Sequence, residues 1–240
     1  MNSIINYFKT HALALTFASM LFSIVCYSMI FGWIVSIGFT LCLLIHEMGH
    51  FYAAKQQKIQ TTVPVFLPFL GAFISFKQNP YSASQEAYIG IAGPIAGTVS
   101  ALVSFACYQV TGYMPLLEIT FLAAFLNLFN LIPLSPMDGG RTVTAITPWL
   151  WLVGAVFIIA TVIILKSVVA ILIGLVGFQQ IRTVLFGSAY KTGELSAYYK
   201  TTWATKLRYS AIYILLMVVL FGLMNVSASY INAQSISMFK

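Results

Sequence analysis

The sequence predicts an all-α multi-pass membrane protein with about six or seven transmembrane helices, and three observations carry that prediction. Of its 240 residues, 60% are hydrophobic and only 7% charged, which lies outside the range of soluble domains. Mean hydropathy is +0.92. The apolar residues also fall in long runs. Residues 12–54 are almost without polar interruption, about twice the roughly 20 residues that a helix rising about 1.5 Å per residue needs to cross a hydrocarbon layer about 30 Å thick.

That first run must turn once, and Gly32 is the natural place. The same count predicts spans near 84–108, 116–134, 149–165, 167–186 and 209–230. Lys9 ahead of an apolar run resembles a cleavable leader, but no small-residue cleavage site follows, so a retained first span is expected. Residues 61–76, TTVPVFLPFLGAFISF, are apolar yet hold two prolines and a glycine and are too short to span. They predict a re-entrant or interfacial hairpin with extended strands. Such a hairpin is either an edge that pairs with an unwound peptide or a loop lying on the surface.

Charge sets the orientation. The 12 lysines and arginines outnumber the 5 acidic residues, but they sit singly in short connections and form no patch of the kind that binds nucleic acid. A cytoplasmic N-terminus places Lys9, Lys55, Lys58, Lys77, Arg141, Arg182, Lys191, Lys200, Lys206 and Arg208 inside and leaves only Lys166 and Lys240 outside. This is the asymmetry of cytoplasmic loops rich in lysine and arginine. The tyrosines between Gly187 and Lys206 read as an aromatic membrane interface. Cys26, Cys42 and Cys107 lie inside apolar runs with no CxxC pair, and read as apolar side chains.

Against this background the stretch HEMGH, residues 46–50, stands out. Ionisable side chains are costly at membrane depth, and those that occur there mark function by default. Four residues apart on a helix, His46 and His50 share a face and can hold one metal, while Glu47 projects close enough to act as general base toward water at that metal. The bland alternative is two histidines hydrogen-bonded to neighbouring helices. A catalytic zinc takes three protein ligands and keeps a fourth position open. His11, near the start of span one, has no residue spaced to it. Asp138, the only aspartate, follows a helix broken by Pro133 and Pro136 and precedes Gly139 and Gly140. It is a candidate third ligand, or else a turn residue beside glycines. Spans two and four run in the same direction, so both motifs fall at similar depth toward the cytoplasmic side.

The sequence here resembles the site-2 protease family of intramembrane zinc metalloproteases. The resemblance rests on HEMGH, on NLIPLSPMDG at 130–139, which has the family's N-x-x-P-x-x-x-x-D-G spacing, and on the GxxGP stretch around Gly93 and Pro94. It implies one Zn2+ per chain held by residues matching His46, His50 and Asp138, with Glu47 activating water for hydrolysis of a peptide bond within or near a transmembrane segment. It also associates the position matching Asn130 with substrate or transition-state contact. Met137 stands where the family often has leucine, a mild change. The glycines of GIAGPIAG, residues 90–97, read first as close helix packing.

The resulting expectation is a single integral membrane domain over 1–240, with catalytic core spans in 33–140 and accessory C-terminal spans in 141–240. There is no room for an appended PDZ or nucleotide-sensing domain. Expected partners are a transmembrane protein or peptide substrate, the lipid bilayer and a regulatory membrane protein, with no nucleic acid, in the cell membrane of a prokaryote. The competing readings are a membrane transporter or metal carrier with an intramembrane His/Asp site, and a catalytically inactive scaffold. A carrier would show paired broken helices in both halves, whereas this sequence has one.

Overall fold

The computed structural model describes residues 2–69, 71–187 and 194–238, with side chains at 13–69, 71–164, 166–187 and 197–234. It is an all-α integral membrane protein with one small hairpin. The helices are α1 (Asn2–Gln56), α2 (Ala83–Thr111), α3 (Met114–Asn130), α4 (Asp138–Val143), α5 (Trp151–Leu165), α6 (Val168–Leu185), α7 (Glu194–Tyr199) and α8 (Trp203–Met238). Among the described residues, four helical segments are long and apolar enough to cross a membrane: Leu13–Gln56, Ala83–Thr111, Val168–Leu185 and Trp203–Gln234. Met114–Asn130 and Pro148–Ile164 are shorter apolar helices.

The longest of these is two helices in sequence. Gly32 breaks α1 with φ 74° and ψ 167°, a conformation that only glycine adopts freely. The chain folds back there: the rings of Tyr27 and Phe39 lie 5.4 Å apart, whereas twelve residues of straight helix span about 18 Å. The turn therefore falls where the length argument places it.

Residues 61–76 form a hairpin. Strand β1 (Val65–Leu67) pairs antiparallel with β2 (Gly71–Phe73), with Val65 opposite Phe73, and a bridge joins Thr61 to Phe76 below them. The outward side of β1 is taken by the first half of α1. Thr16 Oγ1 donates to the Pro64 carbonyl at 2.7 Å, and Ser19 Oγ accepts from the Phe66 amide at 3.2 Å. Phe66 and Ala72 are buried with Tyr27, Phe39 and Leu43. Among the described residues, no strand pairs with the outer edge of β2.

Helix α2 starts at Ser82, whose Oγ accepts from the Gln85 amide at 3.3 Å, and ends at Gly112 in the left-handed conformation, the usual devices for stopping a helix. It packs against α1, α3, α4 and α8. Helix α3 ends at Asn130, before the expected 134, because Leu131–Met137 form a turn rather than a last helical stretch. That turn is held from several sides. Trp151, fully buried, donates Nε1–H to the Gly140 carbonyl at 2.8 Å. The Tyr213 hydroxyl of α8 donates to the Leu131 carbonyl. Gly139 and Gly140 pack so close to the backbone of Leu131 and Leu134 that a Cβ at either would collide with it.

The C-terminal tyrosines do more than sit at an interface. Tyr198 OH donates to Glu86 at 2.7 Å, Tyr209 OH to the Ser84 carbonyl at 3.2 Å, and Thr201 to the Ala145 carbonyl at 2.8 Å. Burial pushes the Tyr198 hydroxyl well above the usual tyrosine range and the Glu86 carboxylate beside it adds to the effect, so Tyr198 keeps its proton as a donor. All three cysteines are free. Cys42 is buried, Cys26 half-buried and Cys107 exposed on the apolar helix surface.

Candidate metal centre

The site is built by α1, α2 and the start of α4. His46, Glu47 and His50 lie near the end of α1 and are nearly inaccessible, with relative exposures of 1%, 6% and 5%. Asp138, the first residue of α4, is 9% exposed. Their polar atoms converge: His46 Nε2 lies 3.0 Å from Asp138 Oδ2, His50 Nε2 lies 3.1 Å from the same oxygen, and the two Nε2 atoms are 3.2 Å apart. Ligand atoms of His46, Glu47 and His50 all fall within 4.8 Å of one another. His11 lies outside the described side chains.

The far side of each imidazole fixes what faces the centre. His50 Nδ1 lies 2.7 Å from the Ile89 carbonyl, which can only accept, so Nδ1 carries the proton. His46 Nδ1 lies 2.9 Å from Asn127 Oδ1. The Asn127 amide is oriented in turn because its Nδ2 donates to the Ala123 carbonyl at 2.8 Å, leaving Oδ1 to accept from His46. In each neutral ring, with Nδ1 as the donor, Nε2 is a bare acceptor.

With both rings neutral, two nitrogen lone pairs and a carboxylate oxygen point into one small space, an arrangement whose mutual repulsion a shared cation relieves. The spacing fits zinc. Ligand atoms about 2.0–2.1 Å from a tetrahedral zinc stand roughly 3.3–3.4 Å apart, close to the separations seen here. Two histidine nitrogens and one carboxylate oxygen are also a zinc donor set that leaves a position open, and the outer bonds from Asn127 and Ile89 are the kind that hold metal-ligating imidazoles in one tautomer.

Helix α2 approaches this centre through glycines. A Cβ on Gly93 would run into the imidazoles of His50 and His46, and one on Gly97 would run into the Asn127 amide. The packing reading of GIAGPIAG is thereby sharpened, since what packs against these glycines is the histidine pair and its orienting asparagine. Glu47 makes no hydrogen bond to protein among the described residues, so its carboxylate is free to meet a small molecule.

Residues 34–118 match peptidase family M50. The M50 match contains the HEMGH helix and the glycine stretch, while Asp138 lies beyond its end. Among curated proteins, the chain is 38% identical over 109 residues to a zinc metalloprotease of Methanocaldococcus jannaschii, covering 43% of this chain and 31% of that protein. It is 38% identical over 69 residues to a probable chloroplastic zinc metalloprotease of Arabidopsis thaliana, covering 27% of this chain and 13% of that one. The matches thus span about a third or less of those relatives. Among solved structures, the site-2 protease from Methanocaldococcus jannaschii is similar at a TM-score of 0.46 and 24% identity, over 78% of this chain and 89% of that one.

One residue escaped sequence reasoning. Asn127, 1% exposed, is the asparagine that meets His46, whereas Asn130, one turn later at the end of α3, is half-buried and its side chain makes no hydrogen bond among the described residues. The signal was partial, because an amide in an apolar helix must find a partner, but this stretch offers two, Asn127 and Asn130.

Proposed function

We propose that the protein is an intramembrane zinc metalloendopeptidase that hydrolyses a peptide bond within or near a transmembrane segment of a membrane protein. The observation that carries this reading is the convergence of His46, His50 and Asp138 within 3.0–3.2 Å of one another, beside a Glu47 that makes no hydrogen bond among the described residues. The M50 match and the zinc metalloprotease relatives support it.

In this reading His46 Nε2, His50 Nε2 and Asp138 Oδ2 hold one zinc per chain. When bound, zinc supplies a Lewis acid that polarises a carbonyl and makes water a better nucleophile near neutral pH. Everything else is the work of the chain. Asn127 and the Ile89 carbonyl keep the imidazoles turned, with a proton held on each Nδ1. Glu47 accepts the proton of the attacking water and passes it to the leaving nitrogen, so that one water and one peptide bond become a carboxylate and an amine. Nearly complete burial keeps bulk water from competing at these groups. Asn130, whose side chain makes no hydrogen bond among the described residues, is the residue this reading assigns to contact with the substrate backbone.

A helical substrate exposes no peptide bond until it unwinds. The outer edge of β2 offers unpaired backbone groups to which an extended segment can add as a third strand, while α1 occupies the other edge. The positive-inside pattern supports a site toward the cytoplasmic side.

The test is cleavage of a transmembrane reporter by purified wild type and Glu47→Gln, with zinc measured in both. Loss of cleavage with zinc retained supports the assignment. Equal cleavage by the variant would remove Glu47 from the mechanism, and a well-folded wild type that holds zinc but cleaves no membrane substrate would favour a carrier.

A further inference from the structure

Lys55, Lys58 and Lys77 line one hollow of about 330 Å3 together with Phe51, Gln60 and Thr61. It begins one residue beyond His50 and lies at the foot of the hairpin, where Thr61 bridges to Phe76 and the Lys77 amide donates to the Gln60 carbonyl at 2.8 Å. No acidic side chain lines it. The ion pairs among the described residues are those of Asp138 with the two histidines, so none of these lysines has an acidic partner within 4.0 Å.

The backbone adds a second, independent observation. Helix α1 closes with the Ile59 amide donating to the Ala54 carbonyl at 2.9 Å, and Lys58, at φ 59°, takes the left-handed position inside that closure. Glycine fills this position without steric cost, and other L-residues are penalised there. Here a lysine stands at it, and that lysine lines the hollow.

We propose that this hollow binds the phosphate of an anionic phospholipid headgroup. The lysine and arginine bias of cytoplasmic loops accounts for three lysines on this side of the membrane, but not for all three lining one cavity. The hollow lies at the end of a helix long and apolar enough to cross a membrane, where in the proposed placement a leaflet would present phosphodiesters, and basic pockets on the cytoplasmic side suit such headgroups. An acidic peptide is disfavoured, because the cytoplasmic flanks of membrane proteins carry lysine and arginine, which this pocket repels. A bound headgroup would contact both the end of the HEMGH helix and the hairpin foot, linking the two elements that position the site. The inference rests on the membrane placement proposed above, and not on proteolysis.

The experiment uses the full chain in nanodiscs of phosphatidylcholine alone or mixed in equal parts with phosphatidylglycerol, with co-retained lipid counted by native mass spectrometry. Wild type is expected to retain phosphatidylglycerol in preference to phosphatidylcholine, and Lys55→Gln/Lys77→Gln to lose that preference by about fivefold per lysine. Lys58→Gly is the decisive variant, since it relieves the left-handed strain. It is expected to melt no lower than wild type while losing its own share of the lipid preference. Lys200→Gln/Lys206→Gln, away from the hollow, is expected to retain lipid as wild type does. Unchanged preference in Lys58→Gly and in the double variant would overturn the proposal. Lysine-dependent binding of inorganic phosphate that strips the phosphatidylglycerol would overturn it too, by making the ligand a soluble anion.

Discussion

Asn127 and Gly93 show how little of the centre consists of its ligands. Asn127 Oδ1 fixes the tautomer of His46, and outer partners of this kind are worth about 10–100-fold in metal affinity. Asn127→Ala is therefore expected to weaken zinc binding by about that factor with the fold intact, as measured by competition with a chromogenic chelator. Gly93→Ala should be more severe, because the new methyl group occupies space held by the imidazoles. It is expected to abolish stoichiometric zinc binding. Gly222→Ala, where nothing lies within 4 Å of the added methyl, should leave zinc and thermal stability at or above wild type. If Gly93→Ala held zinc normally, the close approach of α2 to the histidines would have no functional weight.

At the scale of elements, the hairpin and the 131–140 turn carry the argument. The open edge of β2 predicts where a substrate docks. A photo-crosslinker at Phe73, 48% exposed, should capture a transmembrane substrate in the Glu47→Gln background, whereas one at Phe66, 1% exposed and facing the α1 core, should not. Capture from neither position would remove the hairpin from substrate binding. Much at this scale was readable in the sequence. The fold-back at Gly32 followed from length alone, and the hairpin from two prolines and a glycine in an apolar stretch too short to span. The i, i+4 spacing placed His46 and His50 on one face. The rest depended on contacts between distant segments. Nothing local in FLNLFN says which asparagine faces the histidines, and an interfacial tyrosine has the same sequence context whether it faces lipid or donates to Glu86. Composition also blurred the end of α3, because Leu131, Ile132 and Leu134 are as apolar in a turn as in a helix.

For the molecule as a whole, the C-terminal spans are tied to the centre more closely than the label accessory suggests. Tyr209, Leu216, Leu220 and Leu223 of α8 are buried with Ala123, Ala124 and Leu131, and Tyr213 holds the Leu131 carbonyl in the turn that presents Asp138. In a bilayer such packing is driven by close contact and interhelical hydrogen bonds rather than by the hydrophobic effect, so loss of a whole helix is not made good by lipid. A chain ending at residue 200 keeps His46, His50 and Asp138, yet it is expected to lose thermal stability and bind less than stoichiometric zinc, as read by a melting curve and metal analysis on one preparation. Normal zinc and stability in that truncation would show that residues 1–200 form the site unaided.

All of these expectations stand on one claim, that two motifs 92 residues apart close on a single metal. Zinc content per chain in detergent-purified protein, compared between wild type, His46→Ala and Asp138→Ala, tests it most directly. The structure predicts about one zinc in wild type and loss of stoichiometric zinc in both variants, as three-ligand coordination requires. Well-folded wild type without zinc, or Asp138→Ala retaining a full equivalent, would contradict it.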